Sequence, residues 1–356
     1  MLKTIISGTG AYIPDVVRLN EDFLNDDFYE EGGKPVNSPT HLVIEKFHKI
    51  TGIRERRYVP SHLISSDIAA EAGRQALNDS GIDPETLDQI IVAHNFGDIT
   101  HDSNQSQNVP SLANRVKHKL RINNPDCIGY DVVCGCPGWV QGLIQTEAYF
   151  KAGMANKILL IGTEILSRVI DRSDRDSMLF ADGAGACVLE YKETGIDGSG
   201  IIASCASSHS LEEVDYINMR NSYKSGNGDG LYMKMKGRKV YEYALKYVPP
   251  AIKHCLDSCG IHISQVSKLF IHQANEKMDE EIVTRLYGLY GRSEVPHDIL
   301  PMSIQWLGNS SVATVPTLYH MVRKAMIPGH RVQETDLIVF ASVGAGMNIN
   351  AVCYRV

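Results

Sequence analysis

An α/β layered fold is predicted by two observations. Strand-like apolar runs alternate with stretches of helical spacing along all 356 residues, and the order of these units repeats in the second half. The N-terminus is β-compatible up to Gly8 and reads as a strand followed by a glycine turn. Residues 20–41, acidic and rich in Gly, Pro and Asn, and the polar residues 95–110 read as long loops, a length that in compact domains tends to go with function. A helix over 67–77 leads through Ser80-Gly81-Ile82 to a strand over 87–94. In the second half a helix over 240–256 leads through Cys259-Gly260-Ile261 to a strand over 266–273. Aligned on Gly81 and Gly260, Leu87 meets Val266, Ile90 meets Leu269 and Ala93 meets His272 without a gap. The next unit repeats as well: the turn at Cys136, its helix and the strand 157–162 match Asn309, the helix through Met321 and the strand 336–340. This duplication predicts halves 1–190 and 191–356. Cys136 and Asn309 fall at equivalent helix N-termini and His272 at the end of a central strand, where α/β folds place their sites.

The length suffices for a large core. A formal charge of -7 argues against a nucleic-acid or anionic-membrane partner, and no apolar run is long enough to span a bilayer. The basic clusters at 115–121 and 234–239 read as solvated helix faces that could still meet an acidic carrier. Eight cysteines lie scattered without metal-ligand spacing, so a reduced, cytoplasmic protein is expected, with no metal and no cofactor.

The chemistry centres on Asp131-Val132-Val133-Cys134-Gly135-Cys136-Pro137-Gly138-Trp139. A β-compatible run enters it and a helical pattern leaves it, so Cys136 sits at a strand-to-helix elbow. There the unpaired N–H groups and the helix dipole are expected to favour the nucleophilic thiolate. Pro137 suits a first helical turn, and Gly135 and Gly138 permit close approach to the backbone. A thiolate is suited to receive an acyl group from a thioester. If a second substrate then becomes a carbanion, the enolate oxygen needs donors such as the imidazole N–H of His272 and the amide of Asn309.

With His272-Gln273-Ala274-Asn275, Gly308-Asn309-Ser310-Ser311-Val312-Ala313-Thr314-Val315-Pro316, Thr51-Gly52-Ile53-Arg54-Glu55-Arg56, Phe180-Ala181-Asp182-Gly183-Ala184-Gly185-Ala186 and Gly344-Ala345-Gly346-Met347-Asn348, the elbow resembles the ketosynthase III family of the thiolase superfamily. These motifs run in family order over nearly the whole chain. The resemblance implies a thiolase-like fold of two pseudo-symmetric βαβαβαββ halves in five αβαβα layers, and a homodimer. It also implies Cys136 as nucleophile, with His272 and Asn309 serving a decarboxylative Claisen condensation. The substrates would be an acyl-coenzyme A or acyl-[acyl carrier protein] and a malonyl-[acyl carrier protein]. An oxyanion hole would come from the Cys136 N–H and the loop of Gly344, Gly346 and Met347.

Two departures stand out. The family member that starts fatty-acid synthesis stacks a tryptophan, paired with an arginine, on the coenzyme A adenine; the matching residues here are Lys46 and Arg175. A tunnel-wall phenylalanine is matched by the smaller Val109. Both changes predict a larger primer and weaker use of acetyl-coenzyme A. The carrier is expected to enter between Lys277, Arg238 and Arg175. A thiolase would need a second cysteine where Ser342-Val343-Gly344 stands, and a plant-type polyketide synthase a His-Pro-Gly-Gly sequence where Gln273-Ala274-Asn275 follows the histidine. A hydroxymethylglutaryl synthase would need a glutamate base, and 102–108 offers none. The alternatives left open are a same-fold acyltransferase acting on oxygen or nitrogen, and a tunnel-shaping partner subunit of an active ketosynthase.

Overall fold

The computed structural model describes residues 1–195, 198–226 and 229–356. The chain opens on β1 (Leu2–Tyr12), which runs straight through the turn expected at Gly8. A Cβ on Gly8 or Gly10 would lie 2.3 Å from the Ala76 carbonyl oxygen or 2.2 Å from that of Ala72. Glycine is required here because a helix backbone packs on the strand, not because the chain turns. After β2 (Val16–Leu19), the segment expected as a loop contains a hairpin of β3 (Tyr29–Glu30) and β4 (Lys34–Pro35) and the start of α1 (Thr40–Thr51). β5 (Glu55–Tyr58) pairs back on β2, and α2 (Ser65–Ser80) supplies the helix against β1. β6 (Gln89–Ala93), α3 (Leu112–Leu120), β7 (Ile128–Val132), α4 (Gly138–Lys151), β8 (Lys157–Ile165) and β9 (Asp182–Glu193) follow.

The first sheet has the order β1-β9-β8-β6-β7, with β8, β6 and β7 mutually parallel and β1 and β8 antiparallel to β9. The chain continues with β10 (Gly200–Ser208), the paired β11 (Ile217–Asn221) and β12 (Leu231–Met235), α5 (Gly237–Asp257), β13 (Val266–Ile271), α6 (Glu276–Gly288), α7 (Ile304–Leu307), α8 (Thr314–Arg323), β14 (Leu337–Gly344) and β15 (Asn348–Arg355). A second sheet, β10-β15-β14-β13, repeats the first strand for strand apart from β7. No strand precedes α7 and Asn309 as β7 precedes Cys136.

Five layers result. α2 and α3 cover the outer face of the first sheet, where Ile68 and Val116 meet Ile90, Val92, Leu159 and Ile161. α4 and α8 fill the space between the sheets, joining Ile91 and Leu160 to Phe270 and Phe340. α5 and α6 cover the outer face of the second sheet. Along β8, Ile158 and Leu160 face inward while Leu159 and Ile161 face outward. With both faces buried, its apolar run shows no polar alternation. Trp139 of α4 packs edge-on against Phe340 at 5.5 Å, tying the Cys136 elbow to the second sheet. No helix among the described residues is long and apolar enough to cross a membrane.

Candidate active site

β7 delivers the chain into the elbow, Gly135 turns at φ 65°, and α4 begins two residues after Cys136. The close approach that glycine permits here is made by protein: a Cβ on Gly344 would sit 2.5 Å from the Cys136 nitrogen. The 344–347 loop therefore presses against the Cys136 backbone, with Met347 buried and Gly346 at φ 77°. Thiolate formation is expected from the helix N-terminus, and burial acts against it. Burial first, opposed by the Ser311 hydroxyl and aided by the charge of Glu164, leaves the Cys136 thiol raised to about 11. The resting nucleophile is thus a thiol. Cys134 packs against the inter-sheet core, and burial raises it too.

His272 follows β13, and its N–H donates to the Ala341 carbonyl at 2.9 Å, extending the parallel ladder by one residue. Burial lowers the imidazole to about 4, against a smaller upward pull from the Ser311 backbone. It is a neutral donor at physiological pH, and its Nδ1 is buried without a protein partner among the described residues. The neighbours of His272 have structural duties. Gln273 accepts from the Ser303 and Ile304 N–H groups and donates to the Pro301 carbonyl at 2.8 Å, while Asn275 caps α6.

Asn309 is clamped through its backbone to Leu179 and Ala181. Its Oδ1 accepts the Ser311 N–H at 2.8 Å, which leaves Nδ2 as a donor. Ser311, held at φ 51°, donates its hydroxyl to Cys136 Sγ at 3.2 Å. One serine thus links the three predicted residues. It stands inside a quoted motif, but its role depends on a backbone conformation that no sequence pattern discloses. Asn95 and Glu164, linked to Ser311, were also missed; Asn95 lies just past β6 and Glu164 near the end of β8, and this place at the ends of central parallel strands is the one available signal.

A largely apolar cavity of about 820 Å³ reaches Asn309 from the surface, roofed by the β3–β4 segment, α1, residues 174–176 and the head of α5. Lys46, Arg175 and Arg238 line it together, mixed with Glu30, Glu31, Asp174 and Asp176. Lys277 does not line it, because the α6 positions facing the cavity are Asn275 and Met278. Val109 is not a wall of it either: the residue stands at the end of the 95–110 loop, 89% exposed. Asp176 is pushed up to about 7, by burial first and by Asp174 second.

Two family models match the chain: 3-oxoacyl-[acyl-carrier-protein (ACP)] synthase III over residues 130–210 and the C-terminal part of the same enzyme over 256–356. A curated β-ketoacyl-[acyl-carrier-protein] synthase III from Erythrobacter litoralis is 30% identical, the alignment covering 100% of both chains. Among solved structures, the 3-oxoacyl-[acyl-carrier-protein] synthase III of Aquifex aeolicus superposes with a TM-score of 0.80 at 28% identity, over 99% of this chain and 100% of that one. The synthase III of Thermus thermophilus does so with a TM-score of 0.80 at 26% identity, over 99% and 98%.

Proposed function

The chain belongs to the 3-oxoacyl-[acyl-carrier-protein] synthase III family, and on that premise we propose that it joins a Cys136-bound acyl primer to a malonyl thioester by decarboxylative condensation. Cys136 Sγ attacks the carbonyl carbon of the donor thioester, whose thiol departs with the proton that Cys136 gives up. The malonyl thioester then loses carbon dioxide. Its enolate oxygen is met by His272 and Asn309 Nδ2, each such donor contributing on the order of 3 kcal/mol. The enolate carbon attacks the acyl group, and Cys136 leaves as a thiolate that regains a proton, releasing a 3-oxoacyl thioester. N–H groups of Cys136 and of the 344–347 loop stabilise the tetrahedral oxyanion.

The observation that carries this reading is the Ser311 hub, which sets a nucleophilic sulphur beside an amide donor with its acceptor end already occupied. The reaction is formally an acyl transfer to carbon, uses no cofactor and belongs in the cytoplasm. Its partners are an acyl carrier protein, approaching Arg175, Arg238 and Lys46, and a second copy of the chain.

Variants test the roles. Cys136→Ala is expected to abolish acyl-enzyme formation, detected by intact-mass spectrometry, while Cys134→Ala keeps most of it. His272→Ala and Asn309→Ala should still acylate but release no radiolabelled carbon dioxide from a malonyl thioester. Turnover of an acyl donor to an alcohol or amine, with no decarboxylation, would instead establish an oxygen or nitrogen acyltransferase.

A further inference from the structure

Glu164 is the penultimate residue of β8 and is 2% exposed. None of the steps above uses it. Its Oε1 accepts two hydrogen bonds from Asn95, one from the backbone N–H and one from Nδ2, both at 2.6 Å. The same amide nitrogen carries a second hydrogen, which reaches Ser311 Oγ at 3.4 Å. With one lone pair of the hydroxyl taken by that donor, the hydroxyl hydrogen is directed at Cys136 Sγ, 3.2 Å away. A continuous chain therefore runs from Glu164 through Asn95 and Ser311 to the sulphur.

We infer that Glu164 is a positioning residue for the nucleophile: it fixes the Asn95 amide, thereby orients the Ser311 hydroxyl onto Cys136, and by its own charge sets the pH at which the thiol ionises. Two effects of opposite sign pass through the one side chain. The hydrogen-bond chain stabilises a thiolate, since a hydroxyl donates more strongly to an anion than to a thiol. The carboxylate charge destabilises it. Charges on the neighbouring strands act on Glu164. His94, just beyond β6, favours the carboxylate, and Asp182, on the neighbouring β9, opposes it. Ser311 brings no charge. Burial is the largest influence and raises Glu164 to about 7. Above that pH the carboxylate is ionised while Cys136 is still a thiol, and it is there that its charge holds the nucleophile back.

The test reads thiolate formation directly, as the rate of iodoacetamide labelling of Cys136 in the full-length protein, followed by peptide mapping from pH 6 to 10. Glu164→Gln keeps an acceptor for Asn95 but loses the charge, and is expected to label about three- to tenfold faster than wild type at pH 8–9. Ser311→Ala, which removes the donor to sulphur, is expected to label several-fold slower, and Asn95→Ala should follow it in direction. A Glu164→Gln profile that overlays wild type, or variants that all move the same way, overturns the inference. If Glu164→Gln does not fold, Asn95→Ala decides: a rate equal to wild type overturns the link. The inference rests on the proposed reaction only in taking Cys136 as nucleophile. Labelling needs no substrate, so shifted profiles without any condensation would refute the reaction and leave the link standing.

Discussion

At Cys136 burial is the largest influence on the thiol and raises it. The thiol is held up to about 11. Because only the thiolate reacts, wild-type labelling should rise about tenfold per pH unit from pH 8, where Glu164 is already ionised, towards 10 without a plateau; a midpoint below pH 8 would show that burial does not control the thiol. At the mouth, Lys46 lies in the cavity with Arg175 but offers no aromatic face. We expect acetyl-coenzyme A to acylate slowly compared with a medium or long acyl chain on acyl carrier protein. Each methylene buried along the cavity contributes roughly 0.8 kcal/mol. Lys46→Trp should raise acylation by coenzyme A thioesters and leave carrier-protein donors little changed. Rates measured from acetyl to dodecanoyl on both carriers check this, and acetyl-coenzyme A as the fastest donor sinks it. Cys136, His272 and Asn309 were legible in the sequence because each stands at the end of a repeated unit. Ser311, Asn95 and Glu164 were not, because they matter through contacts across 216 and 69 residues of chain. Lys277 is not among the residues that line the cavity, although Met278, one position along α6, is.

The elements themselves were largely visible. β6 and β13 fall inside their predicted ranges, and α5 extends its predicted range by a few residues at its start. Gly8 shows where local reading fails: glycine suggests a turn, yet here it admits α2 onto β1, a tertiary contact made with residues more than sixty positions away. The hairpin within 20–41 was hidden for another reason, since its strands are only two residues long and have no apolar period to detect. The β1–α2 contact is testable. A Cβ at Gly10 would meet backbone atoms, Ala72 O at 2.2 Å and Ala76 N at 2.6 Å, which cannot rotate away. Gly10→Ala is therefore expected to cost about 1–3 kcal/mol in urea unfolding. An unchanged midpoint would mean that the helix rides up at no cost and that the packing there is loose.

At the scale of the whole molecule, the edge of the first sheet at β7 carries exposed apolar side chains. Among the described residues β7 closes the first sheet with β6 as its one strand partner, and on its outer edge the Gly129 carbonyl accepts from the Asn114 side chain while no strand covers the rest. Ile128 on that strand is 61% exposed and Val133 just beyond it 69%. An apolar, unpaired edge is a template for another strand, and natural proteins cover such edges. A second copy pairing β7 to β7 would cover both residues isologously, which is the commonest symmetry for a homodimer. The arrangement would also account for Val109, a position matched to a tunnel wall but standing in solvent when the chain is alone. Sedimentation velocity at micromolar concentration should therefore give twice the chain mass of 39.4 kDa. The double variant Ile128→Lys, Val133→Lys should sediment as a monomer with its circular dichroism unchanged, because both side chains already face solvent in the isolated chain. A wild-type monomer, or a dimer indifferent to both lysines, would place the interface elsewhere.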